Sequence, residues 1–223
     1  MKPERERAAA IHEEIDVPHA LVAVLEEAGI EFVFGMPGGD TGRIFDALYD
    51  ADPKIRTILV RHEQVGAIMA EMYGRLTRKP GVVMGQGIFL ACNALFGPLE
   101  ALKGASPLLV LGDFTDMAPF MHHAPYQAGT GEFGNHDLRN LFASVTKYTA
   151  AVHEPKQAVQ TLQLAIKHAT TGTPGPVAVV FGSRAFARPV KPGNLPRLFA
   201  TMGKEDLFLI TAPFTALFDR LGL

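Results

Sequence analysis

Six short apolar runs, each divided from the next by a stretch patterned as helix or loop, constrain this chain more than any other feature. The runs are Glu31–Phe34, Arg56–Val60, Gly81–Gly85, Pro107–Leu111, Thr146–Val152 and Pro176–Phe181. They have strand length and favour Val, Ile, Leu and Phe. Between them the apolar spacing becomes helical. Leu21, Val24, Leu25 and Ala28 share one face of a helix over Pro18–Ala28, with Pro18 suited to the first turn and Gly29 to the end. Ile44, Phe45 and Leu48 mark a second helix, and Val65, Ile68, Met69, Met72, Tyr73 and Leu76 a third. A small-residue helix is expected over Leu90–Lys103, a short one over Asp137–Phe142, and one from Pro155 to near Gly172. Strands apolar on both faces and joined through helices imply an α/β fold, an open, mostly parallel six-stranded sheet with helices on both faces.

The domain organisation follows from where this pattern stops. Residues 1–16 are charged and lack the apolar centre of a signal peptide, so they read as a solvated arm. Residues 17–182 carry the pattern. Residues 183–223, with Pro189, Pro192 and Pro196, read as a linker and tail. No apolar run approaches the ~20 residues that span a bilayer. A net charge of -2 gives no electrostatic footprint for nucleic acid or an anionic membrane. Cys92 is the only cysteine, which rules out an internal disulfide and fits a reducing compartment. The expectation is a cytoplasmic chain with neither nucleic acid nor membrane as partner.

In such sheets ligands sit beyond the carboxyl ends of the strands. Four segments fall there: the Gly35–Gly39 turn, His62-Glu63, the Gly85–Leu90 loop and the irregular stretch Gly112–Asn135. Several familiar signatures fail at these places. Gly85-Gln86-Gly87 starts like a dinucleotide loop, but Leu90 stands where the third glycine belongs. There is no Walker-type phosphate loop. Gly66 occupies the place of the second histidine of a zinc-protease helix, and neither Ser144 nor Ser183 has nucleophile-elbow context. Glu63 directly follows an apolar strand and opens an apolar helix. Position alone leaves two readings: an acid favourable to the helix dipole, or a partly buried acid that bonds a heterocyclic nitrogen.

Four segments in order carry a resemblance. Val33-Phe34-Gly35-Met36-Pro37-Gly38-Gly39 looks like the V-F-G-x-P-G-G turn of acetolactate-synthase-like enzymes, and Arg61-His62-Glu63-Gln64 resembles their R-H-E-Q segment. Ala67, Met69, Ala70, Tyr73, Arg75 and Lys79-Pro80-Gly81-Val82 match the run that follows. Thr171-Gly172 and Pro174-Gly175-Pro176-Val177 resemble S-G-x-P-G-P-V. Over Val17–Phe181 the chain thus resembles the aminopyrimidine-binding domain of thiamine-diphosphate-dependent enzymes of the acetolactate synthase / 2-oxoacid decarboxylase family.

The resemblance implies a catalytic role for Glu63, whose carboxyl would bond N1′ of the cofactor's aminopyrimidine and promote loss of the thiazolium C2 proton. The cofactor then serves as electron sink in 2-oxoacid decarboxylation or carboligation. Gly35, Pro37 and Gly38 would shape the cofactor turn, with Asn93 kept nearby. Two departures stand out. Gln86-Gly87-Ile88-Phe89-Leu90-Ala91-Cys92-Asn93 replaces the family's S-G-P-G-x-x-N, losing a Pro-Gly pair, and Asp113-Phe114-Thr115-Asp116 replaces G-Q-V. His122-His123 resembles the proton-relaying dyad of pyruvate-decarboxylase-type enzymes, or is simply a polar pair on a long loop. No Gly-Asp-Gly motif occurs, so diphosphate and Mg²⁺ would be held by a diphosphate-binding domain or subunit outside this chain, in a homo- or hetero-oligomer; FAD is a further possibility of the family. The expectation is half of an active site, inactive alone. Truncation of a larger enzyme is favoured over a natural small subunit of a split decarboxylase. A partner-binding module of the same fold without chemistry is the alternative class.

Overall fold

The structure, a computed structural model, describes residues 14–51, 55–115, 127–132 and 134–190. The chain runs through α1 (Val17–Glu27), β1 (Phe32–Gly35), α2 (Thr41–Asp50), β2 (Arg56–Leu59), α3 (Glu63–Thr77) and β3 (Gly81–Met84). It continues through α4 (Gly87–Asn93), α5 (Phe96–Gly104), β4 (Leu108–Phe114), α6 (Leu138–Ala143), β5 (Tyr148–Val152), α7 (Pro155–Thr170) and β6 (Pro176–Gly182). The six strands form one sheet in the order β2-β1-β3-β4-β6-β5, and every pairing is parallel.

Strand alternation feeds two cores. Val82 and Met84, Leu109 and Leu111, and Val177, Val179 and Phe181 face one side, where residues of α1, α2 and α7 cover them. Val83, Leu108, Val110, Ala178 and Val180 face the other, against residues of α3, α4, α5 and α6. Helices therefore lie on both faces, as the doubly apolar strands require.

Local chemistry fixes the helix ends. Asp16 caps α1 by accepting from the His19 N–H at 2.9 Å, and Pro18 lies in its first turn. His62 caps α3, its Nδ1 accepting from the Gln64 N–H at 3.3 Å, and the helix stops at Arg78, whose φ of 62° is left-handed.

Three features differ from the sequence pattern. The helix expected over Leu90–Lys103 is two, α4 and α5, because Pro98 lacks an N–H and must fall in a first turn. Strand β4 runs past Leu111, because Gly112, Asp113 and Phe114 pair with Val180, Phe181 and Gly182 of β6. The packed unit also reaches beyond residues 17–182. Ser183–Phe186 forms a short 3-10 turn that buries Ala185 and Phe186, and Ile15 pairs with Val190 through backbone bonds of 3.1 and 2.7 Å. Residues 1–13 and 191–223, parts of the expected arm and tail, lie outside the described residues.

The strand order places one crevice. From β1 the chain crosses through α2 to β2 on one flank, then returns through α3 to β3 on the other. The order reverses between β1 and β3, and the loops after these two strands diverge above that point.

Candidate active site

The loop after β1 leaves from Gly35. A side chain there would put Cβ 1.8 Å from the Met84 carbonyl oxygen, so β1 can approach β3 only with glycine. Met36 N–H donates to that same carbonyl at 3.2 Å, which turns the chain out of the sheet. Pro37 is exposed and Gly38 half-buried, and the Thr41 hydroxyl, fully buried, donates to the Gly38 carbonyl at 2.5 Å.

Glu63 begins α3 just beyond the carboxyl end of β2. Its neighbours Arg61, His62 and Gln64 are exposed, yet Glu63 is only 8 % exposed. Asn93, the last residue of α4, donates from Nδ2 to Glu63 Oε2 at 2.9 Å. Two residues thirty positions apart are thereby joined by a direct bond, across the helices that flank β1 and β3. A carboxyl fixed in this way at a helix start, with one oxygen already engaged, suits a hydrogen bond to a ring nitrogen.

The remaining sequence candidates divide cleanly. Gly35, Pro37 and Gly38 share one turn at the end of β1, and Glu63 and Asn93 are bonded at the ends of β2 and α4. His122 and His123 lie outside the described residues. Gln86 and Phe89, in the departing loop, differ in placement. Gln86 packs its Cβ over Gly38, 3.5 Å from where a side chain on that glycine would begin, while Phe89 is exposed.

Asp113 was missed by sequence reasoning. Read as the opening of an irregular loop, it lies inside β4 and is 5 % exposed. Its carboxylate accepts from three backbone N–H groups, those of Asp40, Thr41 (3.2 Å) and Gly87 (3.0 Å). Burial pushes its carboxyl up to about 6, against the lowering effect of those three bonds, and the charge of Asp40 adds to the rise. The available signal was an acid two residues past an apolar strand, which the glycine at 112 disguised as a loop. Asp113 also lines a cavity of about 320 Å³ with Gly39, Asp40, Arg43, Gln86 and Gln127, over the carboxyl ends of β1, β3 and β4. Among the described residues no group of three or more His, Cys, Asp or Glu side chains could hold a metal ion.

A family model described as "Thiamine pyrophosphate enzyme, N-terminal TPP binding domain" matches residues 15–126, half of the chain. The chain belongs to this family. Its relatives include a probable acetolactate synthase large subunit of Methanocaldococcus jannaschii, 33% identical over 160 residues, covering 72% of this chain and 25% of the relative. Acetolactate synthase of Bacillus subtilis is 34% identical over 161 residues, 72% of this chain and 26% of the relative. The chloroplastic acetolactate synthase of Arabidopsis thaliana is 34% identical over 159 residues, 71% of this chain and 22% of the relative. The chain thus spans about a quarter of the length of these relatives. The matched span of this N-terminal thiamine-pyrophosphate-binding domain contains Gly35, Pro37, Gly38, Glu63 and Asn93.

Proposed function

We propose that this chain supplies the aminopyrimidine-activating half of a thiamine-diphosphate-dependent active site that decarboxylates, or forms a carbon–carbon bond from, a 2-oxoacid. The observation that carries this reading is the Glu63 carboxyl, buried at the start of α3 and held by Asn93 at 2.9 Å beside the β1–β3 crevice. Thiamine diphosphate supplies the electron sink of the reaction. Glu63 would hold a proton at the ring nitrogen facing it, and Asn93 would fix which carboxyl oxygen faces the ring. Gly35, Pro37 and Gly38 would shape the wall against which the cofactor lies, with Gln86 packed behind Gly38.

The diphosphate, its Mg²⁺ and any FAD would be held by other parts of the assembly, because the residues gathered here suit the ring end alone. The surface supports a covering partner. Val65, Met69, Met72 and Leu76 on α3 and Phe96 and Leu99 on α5 are between 37% and 75% exposed, and α3 packs beside α5. An apolar face of this kind marks an interaction surface. It begins one turn from Glu63, so a diphosphate-binding domain or subunit seated on it would border the carboxyl. No described helix is long and apolar enough to cross a membrane. The cytoplasmic placement in our reading is supported by the lone cysteine, which fits a reducing compartment.

The test is Glu63→Gln in the chain combined with a diphosphate-binding partner, thiamine diphosphate and Mg²⁺. Removing the proton-transferring group should lower turnover of a 2-oxoacid such as pyruvate by about 10²-fold or more. A variant as active as the wild type would remove Glu63 from the chemistry. The competing reading, a partner-binding module without chemistry, is motivated by the bulky Ile88 and exposed Phe89 where the family has a Pro-Gly pair. It predicts a stable but inert wild-type complex.

A further inference from the structure

We propose that Asp113 is the positioning residue of this site: its carboxylate latches the turn that carries Gly35, Pro37 and Gly38 to the start of α4. Oδ2 accepts from the N–H groups of Asp40 and Thr41, and Oδ1 accepts from the Gly87 N–H at 3.0 Å. One side chain thereby joins the ends of β1, β3 and β4, the three strands whose loops frame the crevice. The bonds go to backbone, so they fix the path of the chain rather than the pose of another side chain.

Packing shows that the arrangement leaves no slack. A Cβ on Gly39, whose φ is +55°, would lie 2.1 Å from Asp113 Oδ2, and a Cβ on Gly87 would lie 2.1 Å from the Asp113 carbonyl oxygen. Two glycines are therefore required for the carboxylate and its strand to come this close. Thr41 completes the clamp, since the residue whose N–H meets Asp113 also bonds the Gly38 carbonyl through its hydroxyl at 2.5 Å. The latch accordingly acts on Gly38 through one intervening residue. Among the described residues no basic side chain pairs with this carboxylate, so its burial is offset by the three backbone bonds, which hold one geometry.

That this turn faces a cofactor rests on the functional reading above; the latch itself does not. It is tested on the full chain without cofactor. Amide hydrogen exchange is measured in wild type and Asp113→Asn at Asp40, Thr41 and Gly87, with Val83 and Val179 as references in the buried strands. Asparagine keeps one acceptor oxygen and puts an NH2 donor in place of the other, so exchange should speed by about tenfold or more at Gly87 or at Asp40 and Thr41 and leave the references unchanged. Unchanged rates at all three overturn the proposal. Uniform acceleration that includes the references overturns it too, since Asp113 would then support the fold generally. Should the variant not fold, the wild type decides. Scalar couplings across the hydrogen bonds, from the amide nitrogens of Asp40, Thr41 and Gly87 to Asp113 Cγ, are expected, and their absence at all three rejects the latch. A latch confirmed here together with an active Glu63→Gln enzyme would place the error in the functional reading.

Discussion

Glu63 and Asp113 are both buried carboxylates at the carboxyl edge of one sheet, yet their surroundings give them different work. Glu63 takes one side-chain bond, from Asn93 to Oε2, whereas both oxygens of Asp113 accept from backbone donors, three in all. The Asp113 carboxyl rises from its ordinary 3.8 to about 6 through burial, against the lowering effect of the three backbone bonds, with the charge of Asp40 a smaller addition; Asp40 itself pairs with Arg43 at 3.4 Å. An acid with a raised folded-state pKa binds its proton more tightly folded than unfolded. Its stabilising contribution is complete below about pH 4 and is lost as pH rises through 6. A rise of this size corresponds to about 3 kcal/mol. The unfolding free energy of wild type relative to Asp113→Asn should therefore fall by up to about 3 kcal/mol between pH 4 and 7. A difference that stays flat across that range, read from denaturant titrations, would show that the carboxylate is not desolvated as described.

At the scale of elements, close approach decides more than side-chain bulk. Helix α5 meets α3 at Gly97, where a Cβ would fall 2.5 Å from the Ala67 Cβ and 2.8 Å from its carbonyl carbon. Gly97→Ala must push the two helices apart and should destabilise by about 1–3 kcal/mol, seen as a lower melting temperature. An unchanged midpoint would mean that α5 can slide freely. The same helix pair is tied at its far end by Glu71, which is buried and accepts from Arg75 Nε at 2.7 Å and from the Ser106 hydroxyl at 2.8 Å. These contacts, with the Arg75 guanidinium also at 2.6 Å, all fall on Glu71 Oε1, away from the crevice. Helix α3 is thus joined to α5 by close packing at Gly97 and to the segment after α5 through Ser106.

For the whole molecule, the prediction concerns that face. Met72 and Leu76 are 41% and 75% exposed, so Met72→Lys and Leu76→Lys remove little core packing. Stability should change by no more than about 0.5 kcal/mol for each. Self-association, or binding to a diphosphate-binding partner, should weaken markedly in sedimentation velocity. Retained assembly would move the interface elsewhere on the molecule.

The sequence by itself determined the class of fold and most of the element order. Strand-length apolar runs, alternating with helical spacing, admit little besides a parallel sheet covered on both faces, and Gly35, Glu63 and Asn93 stood out through motif and position. That information is local, carried by period, punctuation and spacing along the chain. What only tertiary structure decided are the meetings of residues far apart in sequence. Asn93 reaching Glu63, Asp113 reaching both Asp40 and Gly87, and Val190 pairing with Ile15 each depend on strand order, which no local period encodes. Asp113 illustrates the limit best. Along the chain it is an acid after a glycine, and only the pairing of β4 with β6 buries it and turns its charge towards three backbone amides.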